Sequence, residues 1–238
     1  MLDLQGGRIL ELSNREKKIL GTYTRLDGKV GSTHICAPSF DKEGQDPRWN
    51  LPFHGYARTL IWTVEKQTES SVTISTYTAP TPTYNALLKL SQTFTMELVF
   101  SHSVEIANIK GDAVPVNVGL HYYWDTPNGW ENVKVNRKSQ MTNIKENGYC
   151  DLQEVNSVEF PHATYTLTSH GFQSAALWTS FASDTKGVKQ YSQDFCCIEP
   201  IIKWPGYFGS EESIIEVGKS KVVKLEISVP SFAKATDG

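Results

Sequence analysis

The chain is poor in the features that mark several whole classes of protein. It has no run of about 18 apolar residues, so a helical membrane span is not expected. It has no surplus of basic charge: 23 Lys and Arg stand against 26 Asp and Glu, a formal net charge of −3. No broad positive field is therefore available for nucleic acid or an anionic membrane. Cysteine is scarce. Cys36, Cys150, Cys196 and Cys197 are too few to staple 238 residues, and the adjacent pair would bond only with strain. No Cys/His spacing resembles a zinc site. The opening MLDLQGGRILELSNREKK lacks the apolar segment and cleavage site of a secretory signal. With free thiols, this points to a reducing cytoplasm. There is no internal repeat and no low-complexity tract. No apolar stripe at helical spacing persists over three or more turns.

What remains reads as an ordinary globular chain, 39% hydrophobic and 21% charged. Its length suits one large all-β domain, expected over residues 1–230, with a polar C-terminal tail at 231–238. Arg8–Leu12 and Lys18–Thr24 read as a first hairpin, with Arg15-Glu16-Lys17-Lys18 as its solvated turn. The THICAP run at Thr33–Pro38 heads for the interior, and the Asp-rich stretch Ser39–Trp49 is a loop. From Leu60 strand follows strand. Leu60–Val64 reads as a strand entering a core. Leu88–Val99 has Lys89, Ser91, Thr93, Thr95 and Glu97 on one face and Leu88, Leu90, Phe94, Met96 and Leu98 on the other. Gln92 is the exception on the apolar face. Further strands fall at Ser103–Ile109, Val114–Trp124, Tyr165–Thr168, Ala175–Phe181, Phe195–Glu199 and Val222–Val229, with a shorter one within Glu211–Val217. Asn128-Gly129 and Asn147-Gly148 are turn dipeptides. Many strands with short turns predict an all-β fold, a sandwich or barrel.

Three groups of polar residues interrupt this pattern. His54 and Arg58 lie in LPFHGYARTLIW, where Pro52 stiffens the chain and Gly55 frees it to turn. They are either rim residues or a binding pair on a loop held by a scaffold. His121 lies in VNVGLHYYW, either a core histidine bonded to a carbonyl or an acid–base group. Glu199 lies in FCCIEP. A buried carboxylate needs a partner or a polar cavity, whereas Pro200 is compatible with an edge strand and an outward-pointing Glu199. Tyr122, Tyr123, Trp124, Trp130, Trp178 and Trp204 are available either to fill the core or to line a cleft whose flat faces suit a sugar ring. His34, His102, His162 and His170 have no evident partners in sequence.

The order HGYAR, GLHYYW, CIEP resembles the galactose mutarotase-like superfamily, and within it the hexose-6-phosphate mutarotase branch. The resemblance runs from about Leu26 to Val229. It implies a large antiparallel β-sandwich with an open cleft. It also implies an aldose 1-epimerase that interconverts sugar anomers, with His121 as general acid at the ring oxygen and Glu199 as general base at the anomeric hydroxyl. His54 and Arg58 would hold the sugar or a substituent on it. No metal, nucleotide or redox cofactor is required, and the implied working unit is a monomer acting on a small sugar or sugar phosphate. The chain departs from the branch at three points. Val30 stands at the position of a phosphate-gripping Arg, leaving Arg48 in the following loop as the candidate substitute. Asn156 stands where the branch has an Asp, and is the matching substrate-binding candidate. Ile201 replaces a Gly. A non-catalytic carbohydrate-binding protein on the same scaffold is the alternative from another class, and a β-sandwich interaction module is a third.

Overall fold

Strand alternation governs almost the whole chain. The computed structural model describes residues 1–14, 17–127, 129–140, 149–183, 185 and 189–228. Among these the regular elements are β-strands and four single turns of 3-10 helix. No described helix is long and apolar enough to cross a membrane. Arg15, Glu16, Asn128, the Asn147-Gly148 dipeptide and the tail at 231–238 lie outside the described residues.

Two antiparallel sheets carry the fold. The larger has nine strands, in the order Lys138–Ser139, Lys134–Val135, Ser157–Phe160, Ala163–His170, Ser220–Ser228, Phe100–Gly111, Ala86–Met96, Ser71–Tyr77, Thr63–Gln67. The smaller has seven. Six run in the order Tyr149–Gln153, Ser174–Trp178, Phe195–Ile201, Gly119–Asp125, Lys17–Leu20, Leu12–Asn14, and His34–Cys36 also pairs with Gly119–Asp125. Side chains at alternate positions meet between the sheets. Leu120, Tyr122 and Trp124 from the smaller sheet share one core with Leu88, Leu90, Val104, Ile106 and Leu225 from the larger. The Trp124 ring lies 5.6 Å from Tyr165 and 5.7 Å from Phe160 across this gap. The expected β-sandwich is therefore the observed fold.

Gln92 explains its own exception. It is buried, donates from Nε2 to the Gly7 carbonyl at 3.0 Å, and accepts from His102 Nε2 at 3.0 Å. The Tyr122 hydroxyl then donates to His102 Nδ1 at 2.7 Å. A polar residue on an apolar face is tolerated because the network satisfies it. His102 thus has the partners that sequence did not reveal, and burial pushes its imidazole down to about 3, so it stays neutral.

Other details differ from the sequence reading. The hairpin near the N-terminus is tighter, joining Leu12–Asn14 to Lys17–Leu20, while Arg8–Ile9 pairs with Leu2–Asp3 and Thr22–Thr24 with Val30–Ser32. Leu60–Val64 is not a core strand. Only Trp62 turns inward, its indole N–H donating to Ala57 O at 3.0 Å, and Thr63–Gln67 is an exposed edge strand. Composition suggested a buried strand, but an edge position lacks the second neighbour that would cover it. Leu98 is fully exposed in the tight connection to Phe100–Gly111, and Met96, the last residue of its strand before that connection, is half-exposed.

Candidate active site

The outer face of the smaller sheet carries the polar residues. Along Gly119–Asp125 the core takes Leu120, Tyr122 and Trp124, so His121 and Tyr123 must face the other way. Along Phe195–Ile201 the core takes Cys196 and Ile198, which turns Cys197 and Glu199 outward from the core. These two strands are neighbours, paired Gly119 with Ile201 and Tyr123 with Cys197. That register sets His121 opposite Glu199. His121 Nε2 lies 3.6 Å from Glu199 Oε1. The Glu199 strand is central, between Gly119–Asp125 and Ser174–Trp178, so Pro200 does not mark an edge and Glu199 does not point to solvent. It is only 3% exposed.

A loop from Phe40 to Arg58 covers this face. Gly55 pins it. With φ of +70°, Gly55 occupies the left-handed region, and a Cβ there would collide with the Ala37 carbonyl. That carbonyl accepts from Tyr56 N at 2.8 Å and Ala57 N at 3.1 Å, tying the loop to the strand that carries His34. His54 also has positive φ, +64°, an uncommon conformation for a residue with a side chain. Its ring is held by Phe53 at 3.8 Å and Phe40 at 5.6 Å, and reaches His121 edge-on at 5.5 Å. Arg58 Nη2 donates to the Phe53 carbonyl at 3.0 Å, closing the loop behind His54.

Between loop and sheet is a cavity of about 410 Å³. His54, Arg58, His121 and Glu199 all line it, as do Trp178, Trp204 and Tyr123 among the aromatic candidates. Tyr122, Trp124 and Trp130 instead fill the core. Arg48 and Asn156 are not among the lining residues. Arg48 is exposed and fixed to Asp46 by Nε–Oδ1 and Nη2–Oδ2 contacts of 2.9 and 3.0 Å. Asn156 is exposed in the link between Tyr149–Gln153 and Ser157–Phe160, its backbone N donating to Asn136 Oδ1. Val30 is largely exposed on the hairpin with Thr22–Thr24, so its position does not face the cavity.

Residues not singled out from sequence complete the lining. Arg25 stands 5.1 Å over the Trp178 ring and pairs with Asp27 at 3.1 Å. Asp41 and Lys42 come from the Asp-rich loop. His34 stacks on His121 at 4.8 Å. The signal for His34 was present, since it lies in an inward-running strand. Nothing local indicated Arg25 or Asp41, whose placement depends on long-range packing.

Burial dominates the electrostatics. It pushes the His121 imidazole well below its usual range, helped by His34, His54, Arg58 and Arg25. It lowers His54 to about 3, with Arg58 adding to the effect. It raises the Glu199 carboxyl well above the usual carboxylate range, with nearby Asp41 contributing. The pair is therefore arranged to share a single proton. Ligand atoms of His121, Cys197 and Glu199 also lie within 4.8 Å of one another. Burial holds the Cys197 thiol up, however, which opposes the thiolate that a metal needs.

A large two-sheet antiparallel sandwich of this kind is seen among solved structures. The fold matches a galactose mutarotase-like protein from Lactobacillus casei with a TM-score of 0.75, at 15% identity over 96% of this chain and 95% of that one. It matches a galactose mutarotase related enzyme from Lactobacillus acidophilus at 0.71, with 11% identity over 98% and 94%. It also matches a galactose mutarotase-like protein from Clostridium acetobutylicum at 0.68, with 14% identity over 96% and 91%. No curated protein matches the chain in sequence. The family described as aldose 1-epimerase matches residues 25–196, and the chain belongs to it. That stretch holds His54, Arg58 and His121 and stops just short of Glu199.

Proposed function

We propose that the protein is an aldose 1-epimerase acting on a hexose or hexose 6-phosphate, with His121 and Glu199 as its acid–base pair. The observation that carries this reading is the 3.6 Å approach of the two groups, both buried, on the floor of an aromatic-lined cavity. Anomer exchange needs one proton removed from the C1 hydroxyl and one delivered to the ring oxygen. Glu199 takes the first and His121 gives the second. The C1–O5 bond breaks, the C1 oxygen becomes the aldehyde oxygen, and the pair is left as carboxylic acid and neutral imidazole. Rotation about C1–C2 presents the other face of the aldehyde. Closure then reverses both transfers, so no proton is gained or lost overall. Burial favours the neutral arrangement formed on opening, while sugar hydroxyls bonded to the pair support the charged one before it.

Trp178, Trp204 and Tyr123 offer flat apolar faces to the ring, and His54 and Arg58 stand at its rim. Arg25 and Lys42 bring two further cations to the lining, beside Asp41, and these are the candidates to meet a C6 phosphate. The test is NMR saturation exchange between the anomers of glucose, galactose and glucose 6-phosphate, with and without the protein. Faster exchange than in buffer supports the reading. Binding without faster exchange would make the protein a carbohydrate binder on the same scaffold.

A further inference from the structure

His34 is a buried imidazole in the cavity with no part in the proton transfers. Its strand pairs with Gly119–Asp125 so that His34 and His121 are direct partners, their rings stacked at 4.8 Å and 23°. Its Nδ1 lies 2.8 Å from the Ser32 carbonyl. A carbonyl oxygen only accepts, so Nδ1 carries the proton and Nε2 carries a lone pair. The ring is 5% exposed and burial lowers its pKa to about 3, with Arg8 and Arg58 acting the same way, so Nε2 stays unprotonated near neutrality. That nitrogen has no hydrogen-bond partner among the described residues. A buried acceptor without a partner calls for a donor. The residue lines the cavity, so the donor would come from what occupies it.

We infer that His34 is a specificity-determining residue whose Nε2 accepts a hydrogen bond from one hydroxyl of the bound sugar, next to the ring that His121 protonates. The inference rests on the mutarotase reading for the identity of the ligand as a sugar. A hydroxyl satisfies Nε2. A phosphate dianion, with lone pairs and no proton, does not. The site therefore requires a free hydroxyl at this position and places any phosphate elsewhere, toward the cations of the rim.

Two measurements test this. In the first, ¹⁵N-histidine NMR follows the His34 resonances of the wild-type protein on titration with glucose and galactose. The Nδ1–H tautomer should persist, and the Nε2 resonance should move in the direction that marks a nitrogen accepting a hydrogen bond. No movement with either sugar at saturation overturns the inference. In the second, exchange rates are compared for each sugar and its 2-, 3-, 4- and 6-deoxy analogues. Wild-type protein should disfavour one deoxy analogue by about 10-fold in kcat/KM, the scale of one lost hydrogen bond. His34→Phe, which keeps a ring against His121, should no longer distinguish that analogue from its parent. Equal loss on every sugar would show His34 to be structural and overturn the inference while leaving the mutarotase reading intact. Absence of exchange in the wild type would instead fail the mutarotase reading, and the NMR titration would still decide whether Nε2 meets a sugar hydroxyl.

Discussion

His121 Nε2 and Glu199 Oε1 stand 3.6 Å apart on neighbouring strands, both side chains shielded from solvent. Strand pairing rather than a flexible loop sets that separation, because the register between Gly119–Asp125 and Phe195–Ile201 makes the two residues opposite neighbours. For the proposed reaction, a pair built into a central sheet would be held in place before the two proton transfers begin.

The pair's protonation predicts a pH profile. It holds one proton until acid adds a second to His121. Burial sends that step well below the usual imidazole value of 6.5. The acid limb of kcat/KM should accordingly lie below pH 6.5, and the rate should not halve at the pH where a solvated histidine titrates. An acid limb centred on 6.5 would mean that His121 is solvated or is not the group involved.

Gly55 should resist substitution. Gly55→Ala combines a left-handed backbone with a Cβ facing the Ala37 carbonyl. A loss of about 1–3 kcal/mol in unfolding free energy is expected from strain of this kind, with weaker sugar binding because His54 is displaced. Chemical denaturation of the variant measures it, and an unchanged midpoint would contradict the assigned role of the turn.

Arg58 should act mainly through the loop. Its contact with the Phe53 carbonyl holds the segment that presents His54. Arg58→Gln should raise KM for glucose and glucose 6-phosphate by similar factors. A rise confined to the phosphorylated sugar would show a direct phosphate contact instead.

Arg48 and Asn156 should be silent. Both are exposed, and neither lines the cavity. Arg48→Ala and Asn156→Ala should leave kcat and KM unchanged, and a several-fold rise in KM for either would show that it reaches the sugar.

Much of this was legible in the sequence because strands expose their pattern at period two. The alternation of Leu88–Thr95 fixed two faces, and the motifs around His54, His121 and Glu199 singled out residues that do line one cavity. The failures have physical causes. Glu199 was compatible with an edge because Pro200 speaks only for its own N–H, not for the neighbours of its strand. Leu60–Val64 looked buried because composition does not report whether a strand has one neighbour or two. Arg48 stood as the loop cation in place of an arginine at Val30, but its own neighbour Asp46 captures it. Arg25 and Asp41 carry no local signal, since the fold alone brings them to the cavity.

The most direct measurement compares anomer exchange and sugar binding in wild-type protein, His121→Ala and Glu199→Gln on the same sugar. The account predicts acceleration by the wild type and a loss of 10²-fold or more in each variant, on the order of general acid–base catalysis, with sugar binding and folded circular dichroism retained. Either variant exchanging anomers at the wild-type rate would contradict it.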